Sequence, residues 1–265
     1  MLWLVAEVAL TLPLATPARC DAPVNISFDQ DFDPFYQEQV HALLRQAEAI
    51  IPQAYNRITK AWHLDYQGLR HPLLVQFKET PSQTLRRLEV AYLQTDGAGD
   101  QIRFTLVVDL GAYLQDPTED LHVILTHEMA HAILHDYVLG PKASAIPTWF
   151  DEGMAQSVTR QGQDQVRQDA KELRASGRPL FLCDLTAPVD EFAHGPFNFG
   201  CYSEYYLAVQ RLLHLGGPKA LDKILPGLRD GKPLVDLIHE ITKLDWASFQ
   251  KDAARYTETV LTASR

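Results

Sequence analysis

His127-Glu128-Met129-Ala130-His131 sets two imidazoles four positions apart, with a carboxylate beside the first. On a helix, residues i and i+4 share one face a turn apart, so both rings can grip a single cation. Glu128 projects beside that pair, where it can hold a water and take its proton. Neutral histidine nitrogens and a carboxylate suit Zn²⁺, a borderline ion at ease in tetrahedral and five-coordinate states. Two histidines are too few for a tight site. Glu152 is the candidate third ligand, 21 positions after His131 in Trp149-Phe150-Asp151-Glu152-Gly153-Met154-Ala155. His135 continues the histidine stripe, but at about 1.5 Å per residue it lies roughly 12 Å along the axis from His127. That is too far to share the ion, and a surface or supporting role fits it better. His122 precedes the pair by more than a turn and reads as ordinary.

Such a site needs two facing helices. Asp116-Pro117-Thr118-Glu119 reads as an N-cap, a proline at the first helical position and a glutamate three after the cap. The helix it opens should run through the histidine pair to about Leu139 and stop at Gly140-Pro141. A second helix opens at Pro147-Thr148, with Thr148 and Asp151 at capping-box spacing. Upstream, residues 33–64 read as a long amphipathic helix, with Val40, Leu43, Leu44, Ala47, Ile50 and Ile51 at helical spacing. Pro52 should kink or divide it. Residues 72–77 are strand-like, and 89–95 and 101–110 flank a glycine-containing turn as a hairpin. Residues 161–178 are polar and read as solvated. From Phe199 onward the pattern is helical, broken at Gly216-Gly217-Pro218 and Gly231-Lys232-Pro233. The expected class is α+β: an N-terminal helix, a small mixed or antiparallel sheet, a central helix bearing the histidines, and a mostly helical C-terminal part.

HEMAH followed by WFDEGMA resembles the gluzincin zinc metallopeptidases, which include thermolysin-like and aminopeptidase-N branches. In layout it is most similar to the small bacterial peptidase MA-like proteins. The resemblance implies a two-lobe fold, with residues 21–140 an α+β lobe and 141–265 a helical lobe, together one catalytic unit. It implies one Zn²⁺ per chain held by His127, His131 and Glu152, with Glu128 as general base. It also makes a downstream tyrosine a candidate donor to the oxyanion: Tyr202 is favoured over Tyr205, and His194 is a further candidate. An aromatic stripe packed in the C-terminal part is the competing reading of those tyrosines. In such enzymes an edge strand pairs with extended substrate backbone, a role residues 90–95 could fill; an interior strand fits the periodicity equally.

The departures sharpen the assignment. Leu134 and Tyr137 stand where metzincins need glycine and a third histidine, and no GxMEN motif is present to hold a substrate's terminal amine. An endopeptidase acting on peptide or protein substrates is therefore the expectation. Gln156 occupies the position where the thermolysin-like branch has an aspartate supporting the ligands. The alternatives are a catalytically silent peptide- or protein-binding module on the same scaffold, and an interaction protein whose motif is accidental.

The chain has 265 residues, 46% of them hydrophobic, with 24 Lys+Arg against 34 Asp+Glu and a net charge of −10. This is the composition of a folded protein, and its charge argues against nucleic-acid partners. After the N-terminus no stretch approaches the roughly 18 apolar residues of a membrane helix. Residues 1–14 are mostly apolar, and a Pro/Ala/Thr segment ends at Ala18-Arg19-Cys20. Residues 1–20 are thus a candidate signal peptide, and the mature chain would be periplasmic or secreted. Glu7 and the lack of an early Lys or Arg keep a cytoplasmic alternative. Cleavage there would leave Cys183 and Cys201, either a disulfide or two buried thiols. The sequence sets no oligomeric state.

Overall fold

The computed structural model describes residues 24–28, 37–66, 68–78, 90–97, 101–115, 120–139, 145–176, 185 and 199–263. Among these, four strands form one mixed sheet. Strands β1 (Val24–Phe28), β2 (Leu73–Lys78) and β4 (Arg103–Asp109) are parallel, and β3 (Ala91–Asp96) pairs antiparallel with β4. The order is β1-β2-β4-β3. Inward Leu73, Val75 and Phe77 alternate with part-buried neighbours on β2, the pattern of a strand with one face on the core. On β4, burial is continuous from Leu106 to Asp109, because helices lie close on that end of the strand. The expected hairpin is present: Leu93 lies opposite Leu106, and the Asp109 amide donates to the Val90 carbonyl at 2.8 Å. β3 sits at the edge.

Helix α1 (Gln37–Ala61) runs unbroken through Pro52, so the expected division there is corrected. Its buried stripe, including Leu44, Ala47, Ile51, Ala54 and Ile58, packs against the central helix and outweighs the lost hydrogen bond. A short helix α2 (Leu110–Gln115) follows β4 directly, where the sequence pattern reads as strand up to residue 110.

The central helix α3 (Leu121–Val138) carries the histidines. It is capped by Asp120, whose carboxylate accepts from the His122 amide at 2.9 Å. The cap is therefore four residues later than the expected Asp116, and residues 116–119 lie outside the described set. At the other end, Arg70 donates to the Leu139 carbonyl at 2.8 Å. Helix α4 (Thr148–Ser157) is anchored by fully buried Trp149 and Phe150. Trp149 meets Trp246 and Phe249 of α9 (Trp246–Ala263) with ring centres 6.0 and 6.1 Å apart. A Cβ on Gly153 would collide with the Tyr205 carbonyl and the Val209 side chain, so a glycine lets α4 lie close on α6 (Phe199–Gly216).

Residues 161–176 form helix α5 (Gln161–Ser176), which is solvated along most of its surface as expected and buries one narrow stripe. Gly162, Val166 and Ala170 are buried at four-residue spacing, and Val166 and Ala170 form a small cluster with Leu207 and Leu261. Helices α7 (Leu221–Arg229) and α8 (Leu234–Thr242) follow the expected breaks. A further break falls at Lys243, in the left-handed region at φ 65°. The main core is one continuous cluster from α1 and the sheet through α3, α4 and α6 to α9. The described fold is α+β and mostly helical. No described helix is long and apolar enough to cross a membrane. The candidate signal, 1–20, lies outside the described residues, as does the expected boundary at 140/141.

Candidate metal centre

Helix α3 aims His127 and His131 at the same point, and the returning α4 brings Glu152 against them. The His127 and His131 Nε2 atoms are 3.1 Å apart. Glu152 Oε2 lies 3.4 Å from the first and 3.8 Å from the second. A circle through three atoms at these separations has a radius of about 2.0 Å. That matches zinc–nitrogen and zinc–carboxylate bond lengths of roughly 2.0–2.2 Å, so the three side chains fit the ion. All three residues named from the sequence as ligands are brought together.

The electrostatics follow from burial among opposite charges. Burial opposes an imidazolium at His131, but Asp151 and Glu152 outweigh it and raise its pKa to about 10. A metal ion would replace the proton on Nε2. Burial also pushes Glu152 and Asp151 upward, but the neighbouring imidazoles win and hold both carboxyls below their ordinary range. Glu128 behaves in the opposite way: burial raises its carboxyl above the ordinary value, and His127 and His131 only partly offset this.

Asp151 is the functional residue that sequence reasoning missed. One oxygen meets His131 Nδ1 at 2.7 Å and the other meets His135 Nε2 at 2.7 Å. The first contact holds the His131 proton on Nδ1 and turns Nε2 toward Glu152, the support that metal-binding histidines commonly use. Asp151 therefore does not close the expected capping box with Thr148; α4 has Pro147 at its N-cap and no side-chain cap bond. The available signal was an aspartate directly before the ligand glutamate. His135 meets Asp151 rather than His127, and with His131 and Asp151 it forms a second group of close polar atoms that could hold an ion. Gln156 does not replace the missing aspartate: its Oε1 and the His127 Nδ1 are both buried without a hydrogen-bond partner among the described residues.

The three candidate ligands and Glu128 line a cleft of about 1040 Å³. One wall is the β3 edge, from Val90 to Leu93; the other includes the polar face of α5 and Tyr202. Tyr202 is 39% exposed in that wall, whereas Tyr205 is buried in the core and touches it edge-on. Only Tyr202 of the two therefore faces the cleft. His194 lies outside the described residues. Cys201, beside Tyr202, is disulfide-bonded, and both other cysteines lie outside the described residues.

No family model, no curated protein and no solved structure matches this chain.

Proposed function

We propose that this chain is a zinc-dependent metallohydrolase of the gluzincin type that cleaves peptide bonds, acting as an endopeptidase. The observation that carries the reading is the convergence of two imidazole nitrogens and one carboxylate oxygen from two helices, with mutual separations of 3.1, 3.4 and 3.8 Å. When bound, zinc would supply Lewis acidity, polarising a carbonyl and easing deprotonation of a water. His127, His131 and Glu152 would hold the ion, and Asp151 would keep His131 in the correct tautomer. Glu128, buried with its carboxyl shifted upward, is suited to accept a proton from water and return it to the leaving amine. Tyr202 would donate its phenol to the developing oxyanion. The β3 edge would receive the substrate as an added strand, its open side paired with no other strand among the described residues. The division into two lobes around this cleft belongs to the same proposal.

Export to an oxidising compartment, periplasmic or extracellular, is part of the reading. The Cys201 disulfide supports it, since such bonds persist mainly outside the reducing cytoplasm.

The test combines metal analysis with one substitution. Purified protein should carry one zinc per chain and cleave an unstructured protein substrate. Glu128→Gln should keep the metal while cleavage falls about 10²–10⁴-fold. Undiminished cleavage by that variant would remove the general-base role, and a metal-free native chain indifferent to added zinc would remove the enzyme.

A further inference from the structure

Beyond the metal ligands, the α4–α5 corner of the cleft holds two polar side chains that the proposed chemistry leaves unused. Gln156 stands one helical turn after Glu152, about 6 Å along α4. It is 4% exposed and lines the cleft, and its Oε1 accepts from nothing among the described residues. Trp62 Nε1 and Thr257 Oγ1 are buried and unpartnered among the described residues too, but of these four residues only His127 and Gln156 line the cleft, where a ligand can complete them. Arg160 follows four residues later, past the end of α4. Among the described residues it is the sole Lys or Arg lining the cleft, and its guanidinium has no ion pair. The nearest acidic candidate in sequence, Asp164, is engaged by Arg167 at 3.0 Å.

The chain is acidic, at −10 net charge, and Asp120, Glu128, Asp151, Glu152 and Asp164 all line the same cleft. A cleft this acidic repels anions unless one point in it attracts them. Apart from the metal-site histidines, Arg160 is such a point among the described residues, and its planar fork suits two carboxylate oxygens at once.

We infer that Gln156 and Arg160 form a substrate-reading subsite for a carboxylate-bearing peptide: the Gln156 amide turns toward the cleft to accept a backbone N–H, and Arg160 binds the carboxylate. The carboxylate comes either from an acidic side chain or from the substrate's C-terminus. This rests on the peptidase reading for its purpose, but its test reads binding and does not require turnover.

The experiment uses zinc-loaded full-length protein carrying Glu128→Gln, and fluorescein-labelled alanine-rich peptides measured by anisotropy. One set moves a single Glu along the peptide against the matching Gln; a second compares free and amidated C-termini. One Glu position, or the free C-terminus, should tighten binding about three- to tenfold, and the gain should shrink with added salt. Adding Arg160→Gln should erase the gain, and Arg160→Glu should transfer it to a Lys at the same position. Because Arg160 is exposed, both variants should keep the thermal unfolding midpoint. Gln156→Leu should weaken all peptides alike without changing the carboxylate preference. A preference that survives Arg160→Gln, no preference at any position, or no peptide binding at all would each overturn the subsite. The same peptides offered to the unsubstituted protein separate the two claims. Carboxylate-selective binding without cleavage keeps the subsite and rejects the peptidase, while indifferent cleavage does the reverse.

Discussion

The two halves of α3 carry two buried polar clusters that solve the same problem differently. In its last turn Asp136, with no side-chain exposure, accepts from the Arg70 amide at 2.8 Å, the His71 amide at 3.0 Å and His71 Nδ1 at 2.6 Å. The Arg70 guanidinium stands 3.7 Å away. Donors meet acceptors throughout, and Asp136 lines no part of the site cleft. Toward the other end, His127 and His131 Nε2 lie 3.1 Å apart with Glu152 beside both, His127 Nδ1 and Gln156 Oε1 lack partners among the described residues, and the group opens on the cleft. Around Asp136 the polar groups cancel in pairs within the chain. At the candidate metal site two buried atoms are left open among the described residues, as a site awaiting a ligand would leave them.

The contrast can be broken most forcefully at Asp136. Asp136→Ala would strand two backbone amides and an imidazole, and should lower the unfolding free energy by about 3–5 kcal/mol. Denaturant titration measures this, and the surviving folded protein should bind zinc as before. A loss under about 1 kcal/mol would erase the distinction between the clusters. Asp151→Asn attacks the other cluster. Zinc affinity in a chelator competition should drop about 10–100-fold, while metal-free stability falls less than in Asp136→Ala. Gly153→Ala links the two properties, because the added methyl meets the α6 backbone at Tyr205. It should cost about 1–3 kcal/mol of stability and, by shifting α4, weaken zinc binding through the adjacent Glu152. Unchanged stability with weakened zinc would mean that α4 moves freely on α6.

The convergence of His127, His131 and Glu152 was legible because one helical repeat and one short motif determine it: the two histidines must share a face, and the WFDEGMA segment needed only a returning helix. The buried Trp149 and Phe150 supply that return by fixing α4 on α9. What escaped was decided by partners distant in sequence. Asp151 has the spacing of a capping residue, but two histidines 16 and 20 positions upstream compete for its carboxylate and win. The buried stripe of the otherwise solvated α5 was not read, because Gly162, Val166 and Ala170 are too small to stand out among its glutamines and charges. Pro52 signals a break by local rules, and only the packing of α1 on α3 overrides it. The short β1 was not anticipated, since five residues of VNISF carry too little alternation. Whether β3 lay at an edge could not be read from its own residues, because edge and interior strands can show the same period of two.

The finest test of the contrast is His135, which stands at the outer end of the hydrogen-bonded array His135–Asp151–His131. With His135 removed, Asp151 keeps its bond to His131 but loses the contact that fixes its second oxygen, which can then turn to water. His135→Ala should therefore weaken zinc binding only about two- to fivefold, the worth of one partly exposed hydrogen bond. Stability should hardly change, since the ring is 30% exposed. His135→Gln, whose amide can still donate to Asp151, should recover part of the loss, which a purely space-filling role for the ring would not allow. A drop as large as that of Asp151→Asn would point elsewhere. It would place the metal in the second group, His131, His135 and Asp151, and would reduce His127 and Glu152 from ligands to neighbours.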